Sequence, residues 1–528
     1  MTDTSNSGIY VVEGLTRGQA IPVDGESVTA FVGPAPRGPV DHAVRITHPG
    51  EFQRIFGIPE CHCRMEFAVR QFFANGGSNA VVVRVSGSTA RNQIRLPSAA
   101  GALVLEARNP GPLESLRASV DYDGISSDDG VQDTDKRFNI TLQRLRTPGS
   151  AWIDAQEQYR NVTVDPGSRD YIGYVLSQSE LASLAGNPPL SRPWPTIKPG
   201  SMREASYTDS IPVTIDSPPP VDYDLIGSTR DGTGLSALDN IVDIGQICLI
   251  SGSADAAVGP VAMLAADRFC RDHQALLIVD PPNRWQTVDD VLNDQERSGF
   301  SSPNAVTWFP SVRTRNAQNE SIAASMVGAV AAVLSPVRQL KGILDFKPGG
   351  PVMVRGKSYL AAKVDPADVR RLARAGVNTL VQRSPLHIQL LGDITQARHT
   401  GLAGQWNELQ LRQQVLFILR RIRYGTSWTS FHQSTPELWQ DLRKQVADFL
   451  TELHARSLLA GEYAEKSFFV RCDADTNVGM AGHDGEIAFI VGFALRRPDE
   501  FLAFRIQCIR GTCRITQLGW QSSIARAG

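Results

Sequence analysis

The sequence predicts an α/β (α+β) multidomain chain: a central mixed α/β sheet core, an inserted mainly β domain, and extended terminal arms. Three observations carry this. Near the front, two apolar runs, VTAFVG and NAVVVRV, flank a helical stretch, FAVRQFFANGG, which is the pattern of strands buried on both faces around a crossover. From about residue 221 to 400 apolar strands and helices alternate again. Between these blocks the chain changes to short alternating runs separated by turn clusters such as SSDDG and TPGS, the mark of a β domain.

In chain order, residues 1–26 read as an extended arm with one short strand at Ile9–Val12, and 27–86 as the N-terminal part of the core. There Phe67, Phe72 and Phe73 give the helix its apolar positions, and Gly76-Gly77 ends it in a left-handed conformation. Residues 87–210 form the inserted domain, with runs at Ala102, Leu116 and Phe138. The stretch IPVTIDSPPP is too proline-rich for a central strand and reads as the crossing back to the core. In the central domain, 211–400, strands are expected at Gln246, Ala275 and Ala305, and helices at Val261–Arg271 and over the small-residue run Ile322–Leu334. A further helix starts at Asp365 as N-cap, with Pro366 first, and closes at Gly376. In the C-terminal core, 401–503, a helix begins at Thr435-Pro436; Leu438, Leu442, Val446, Phe449, Leu450 and Leu453 make its buried stripe. The final segment, 504–528, is a strand and arm, and Leu502, Phe504, Ile506 and Cys508 share one strand face.

Bulk properties exclude several classes. With 528 residues the chain exceeds the roughly 250–300 at which a single core stops growing. A net charge of −2 gives no general drive toward nucleic acid or anionic lipid. The run Ile322–Leu334 falls short of the roughly 20 apolar residues a spanning helix needs, so no membrane span is expected. The start MTDTSNSGIYVV does not resemble a secretory signal, and synthesis and assembly in the cytoplasm are expected. Seven cysteines without repeated spacing argue against a disulfide framework. Cys61, His62 and Cys63 lack a second ligand pair for zinc. Cys508 and Cys513 can face each other across a two-residue turn, although a cytoplasmic chain would keep them reduced.

Catalytic patterns fail on inspection. Gly33–Gly38 has phosphate-loop spacing, but Pro39-Val40 stands where Lys and Ser/Thr are required. The Gly76–Ala80 stretch approaches a nucleophile elbow with helix and strand in the wrong order. Asp280, after the strand ALLIV, lies where open α/β sheets place ligands, and Asp243 or His273 would be its partners in an enzyme; the plainer reading is a turn or cap residue. No catalytic residue, cofactor or metal is expected. Arg420, Arg421 and Arg423 crowd one helix end, where they either complement its negative pole or form a basic face for an acidic partner.

Four ordered blocks add a resemblance. The segment Ser27–Gly87, the run Leu411–Thr429, the helix after Thr435, and FFVRCDADTN followed by GFALRRPDEFLAFRI together resemble the tail sheath proteins of contractile phages and related contractile injection systems. That resemblance implies a structural subunit of a helical homopolymer in sixfold rings, contracting around an inner tube and contacting baseplate and tail terminator proteins. It implies assembly in a bacterial host cytoplasm and a place in a phage tail or phage-like particle. It also implies inter-subunit strand pairing by Ile9, Tyr10, Val11 and Val12 and by Leu502, Phe504, Ile506 and Cys508, and a tube-facing role for Arg420, Arg421 and Arg423. Two alternatives from other classes are an α/β enzyme with a ligand site near Asp280 and a non-contractile structural assembly protein.

Overall fold

A computed structural model describes the chain except residues 1–16, 26, 58–62, 112, 126–135, 197–205, 212–217, 253–256, 316–318, 336–350, 354–357, 385, 398–405, 481, 510–511 and 523–528. The strand read at Ile9–Val12, the Cys61-His62 pair, most of the proline-rich crossing and the Arg510-Gly511 turn lie outside the described residues.

The apolar strands at the front and in the middle of the chain join one six-stranded sheet. Its order is 305–306, 276–279, 244–249, 28–34, 80–85 and 43–46. All neighbours are parallel except the last pair. The segments 27–86 and 211–400 therefore share a single core. Strand Val28–Pro34 sits between Ile244–Leu249 and Ala80–Val85, which explains its unbroken apolar character: both faces are covered. Phe31, Val82, Cys248 and Ile278 pack toward helices Arg64–Ala74 and Val327–Leu334. Ala30, Val32, Val81 and Leu277 pack on the other side toward helix Pro260–His273.

Two expectations in this region are corrected. The helix read from Ile322 begins at Val327, because Ser321–Ala324 is a strand paired with Val312–Arg315. Cross-strand pairing overrides the helical preference of the alanines. Gly328 explains the small residues that follow: a Cβ there would lie 1.8 Å from the carbonyl oxygen of Ala68, so the two helices touch backbone to backbone. The run at Ala305 divides, with Ala305-Val306 in the central sheet and Trp308-Phe309 pairing with Asn378–Ser384 in a second sheet. Helix Pro366–Arg374 starts where Asp365 places it, yet the Asp365 side chain makes no capping hydrogen bond. Gly376 closes the turn with φ 78°.

The inserted domain is mainly β. Its two sheets, 208–209/116–121/137–145/153–163 and 93–98/101–107/182–184, enclose their own core around Leu103, Leu105, Phe138, Ile140 and Leu142.

The C-terminal module packs helices Leu409–Gly425 and Pro436–Ala455 on a four-stranded sheet, in the order 468–471, 486–493, 500–509, 512–522. Thr435 caps the second helix through the Leu438 N–H, and all six residues of the expected stripe are buried. Ile21 and Val23 belong to this same core, so the N-terminal segment from Arg17 onward is part of the C-terminal module. The division at residue 503/504 falls inside strand Glu500–Ile509. Among the described residues, no helix is long and apolar enough to cross a membrane.

Candidate functional site

The arginines at the end of helix Leu409–Gly425 turn toward the protein. Arg420 Nε donates to Asp243 Oδ1 at 2.7 Å, and its Nη1 donates to the carbonyl of Gln274 at 3.2 Å. Arg421 Nη1 meets the other oxygen of Asp243 at 3.1 Å, while its Nη2 donates to the carbonyl of Gly25 at 2.6 Å. Arg423 donates to the carbonyl of Asp272. Arg420 and Arg421 are buried. Of the two readings of these arginines, the open basic face is not what Arg420 and Arg421 form, since they are turned inward, where a buried guanidinium is costly unless charge and hydrogen bonds meet it. Burial draws Arg421 below the usual arginine range, with Asp243 opposing. Asp243 itself holds a left-handed φ of 61° immediately before strand Ile244–Leu249. Its carboxylate joins the central sheet to the C-terminal helix, and Arg421 extends that joint to Gly25 of the N-terminal segment. Sequence reading missed Asp243 as the arginines' partner because it lies 177 residues from Arg420.

The terminal strand residues are also placed differently from the expectation. Leu502, Phe504, Ile506 and Cys508 face the module core and are buried. Their strand is paired on both sides within its own chain, to Glu486–Phe493 and to Thr512–Ser522. They offer no open ladder to a second chain. Among the described residues the sheet's two edge strands are the short Phe468–Arg471 and the 11-residue Thr512–Ser522, which falls in the segment expected to be a strand and arm. An edge of that length presents unpaired N–H and C=O groups to a strand from another molecule. Cys508 and Cys513 do face each other, and they are disulfide-bonded where reduced thiols were expected.

Asp280 is occupied structurally. Its Oδ2 pairs with Arg64 Nη2 at 3.1 Å, and its Oδ1 accepts from the Met326 N–H at 3.0 Å, at the head of helix Val327–Leu334. The void beside it is about 10 Å³, room for one water at most. Asp243 and His273 precede the parallel strands 244–249 and 276–279, whereas Asp280 follows the second, so these groups sit at opposite ends of the sheet. The turn-and-cap reading of Asp280 holds.

Two buried arginines that the sequence reading passed over fasten the inserted domain. Arg37 donates to the carbonyls of Leu145 and Arg146 and pairs with Asp154, while also reaching the carbonyl of Arg54 at 2.9 Å. Arg84 donates to the carbonyls of Ala35, Gly38 and Pro110, and burial pulls it down to about 10. A lone arginine inside the apolar strand AVVVRV was the available signal.

A cavity of about 740 Å³ opens where the C-terminal module meets the start of the central strands, walled by Asp243, His273, Trp428, Phe431, His432 and Cys513.

No family model and no curated relative matches the sequence. Solved structures do. A sheath tail protein of Listeria innocua superposes with a TM-score of 0.60 at 12% identity, covering 92% of this chain and 96% of that one. The fold is that of the tail sheath proteins. A sheath tail protein of Desulfitobacterium hafniense gives a TM-score of 0.51 at 9% identity over 95% of this chain and 99% of its own. The anti-feeding prophage helical sheath in its contracted state gives 0.50 at 14% identity, over 95% and 98%. The sheath fold thus extends through the core, the inserted domain and the C-terminal module alike.

Proposed function

We propose that this chain is the structural subunit of a contractile tail sheath, one that polymerises helically in sixfold rings around an inner tube and contracts to drive the tube through a cell envelope. The observation that carries the reading is the sheath fold running through 92% of the chain at 96% coverage of the Listeria innocua sheath tail protein. The interior is compatible with this reading: Arg420, Arg421 and Asp280 serve internal joints.

A helical polymer needs a heterologous contact that does not close on itself. The C-terminal module is suited to it. Arg17 pairs with Asp441 of helix Pro436–Ala455, in the module whose sheet has Thr512–Ser522 as an edge strand. Strand addition by Ile9, Tyr10, Val11 and Val12 of one subunit to the edge of another would link neighbours while their bodies move. Contraction is then kinetic trapping followed by rigid-body repacking, driven by interface energy without nucleotide hydrolysis. The partners in this reading are further copies, the inner tube, and baseplate and terminator proteins, with assembly in a bacterial cytoplasm into a phage tail or phage-like particle.

Electron microscopy of the purified chain, alone and with the inner tube protein, tests the proposal. Hollow, helically striated tubes are expected; monodisperse particles under both conditions would overturn it. Deleting residues 1–12 is expected to abolish ordered tubes while preserving the folded monomer.

A further inference from the structure

Cys508 and Cys513 differ in what can reach them. Cys508 is fully buried on the middle strand of the terminal sheet, opposite Ile487 on one side and Cys513 on the other. Cys513 is half-buried on the edge strand and lines the 740 Å³ cavity. Among the described residues theirs is the one disulfide; Cys63, Cys248, Cys270 and Cys472 are thiols. The bond also occupies a strategic position. Among the described residues strand Thr512–Ser522 is paired on one side, and a bulge between Ala503 and Phe504 interrupts that ladder. Near the turn, the disulfide holds the hairpin shut covalently.

We propose that Cys508–Cys513 is a redox-controlled latch on the sheet edge: the exchanging sulfur is that of Cys513, reached through the cavity, and closure fixes strand Thr512–Ser522 to its own chain. The oxidant is a low-molecular-weight disulfide of the glutathione type. Cys513, as thiolate, attacks one sulfur of that disulfide and expels a first thiolate. Cys508 then gives up its proton, attacks the Cys513 sulfur and expels the second. Two protein thiols and one small disulfide become one protein disulfide and two small thiols. Reduction runs in reverse and starts at Cys513, since the core encloses the Cys508 sulfur. While the latch is open, the edge strand is retained without a covalent link, by the interrupted ladder, the Trp406–Gln517 hydrogen bond and the packing of Ile515, and a strand from another copy can replace it. Once closed, the hairpin cannot be exchanged. The inference concerns the isolated chain and stands whether or not that chain forms a sheath.

The test uses the full-length protein in buffers set by reduced and oxidised glutathione. Labelling with iodoacetamide is followed by peptide mass analysis, and amide hydrogen exchange is followed in parallel. In the oxidised buffer neither cysteine is expected to label; after reduction Cys513 labels roughly tenfold faster than Cys508, as access dictates. Amide exchange across 512–522 accelerates on reduction by about tenfold while helix Pro436–Ala455 is unaffected. Cys513→Ser gives the fast exchange in both buffers; should that variant not fold, the wild-type comparison alone decides. Equal labelling of the two cysteines, or exchange at 512–522 indifferent to the buffer, would overturn the latch.

Discussion

Arg37, on the loop after the first core strand, donates to Asp154 of the inserted β domain at 2.7 Å, and neither side chain is more than 8% exposed. Removing Arg37 leaves the buried Asp154 with only the half-exposed Arg146, at 3.2 Å, as counter-charge. Arg37→Met, which also strips the carbonyls of Leu145 and Arg146 of their donor, is therefore expected to lower stability by about 2–3 kcal/mol in a urea titration. It should also expose the connection near residues 86–92 to limited proteolysis, because the same guanidinium holds the carbonyls of Leu145 and Arg146. A loss below about 1 kcal/mol would mean that the pair is as weak as a surface one.

Asp243 meets Arg420 and Arg421 with its two oxygens. Asp243→Asn leaves two adjacent guanidiniums without a counter-charge and is expected to cost about 3 kcal/mol or more. Reversing Arg420 and Arg421 to Glu should unfold the joint between core and C-terminal module. A charge-reversed protein with a wild-type melting curve would contradict this and restore the arginines as a docking face.

Gly328 admits no side chain, given the carbonyl of Ala68. Gly328→Ala forces the two helices apart and should destabilise the protein by about 1–3 kcal/mol, the usual range for overpacking. Gly328→Val should cost more. Equal chemical-denaturation midpoints for wild type and both variants would refute the close contact.

Asp393 accepts from the Gln410 N–H at the start of helix Leu409–Gly425, yet burial, reinforced by Glu408, raises it from an ordinary 3.8 to about 6. The native state thus holds a proton that the unfolded state has lost between these values, so this group's contribution to stability falls as pH rises through that window. Asp393→Asn keeps the acceptor oxygen and removes the charge. Its melting temperature should exceed wild type at pH 7.5, and the gap should close by about pH 4. A variant less stable than wild type at pH 7.5 would reverse the assigned sign.

The parts of the fold governed by periodicity were legible. Strands 28–34 and 80–85 announced their double burial by unbroken apolar sequence, and helix Pro436–Ala455 announced its buried stripe and its Thr435 cap. What failed was long-range pairing. Arg420 and Arg421 looked like a surface feature because their counter-charge stands far away in sequence. Leu502 to Cys508 carried the correct face but not the number of neighbours, since a strand's own residues do not reveal whether a ladder partner lies on each side. Ser321–Ala324 looked helical because its composition is, while its partner strand Val312–Arg315 decided the outcome.

Thr29 donates to Gln246 across 217 residues of chain, within the parallel pairing of strands 28–34 and 244–249. A ribosome adding about 5–20 residues per second takes on the order of ten to forty seconds to cover that interval. During it, the first core strand is complete but lacks one lateral neighbour, while every residue of the inserted β domain has already been synthesised. Birth order therefore favours a nascent chain in which the guest folds first and the host closes around it, and a ribosome stalled shortly before residue 244 would display a finished β domain on an unfinished core.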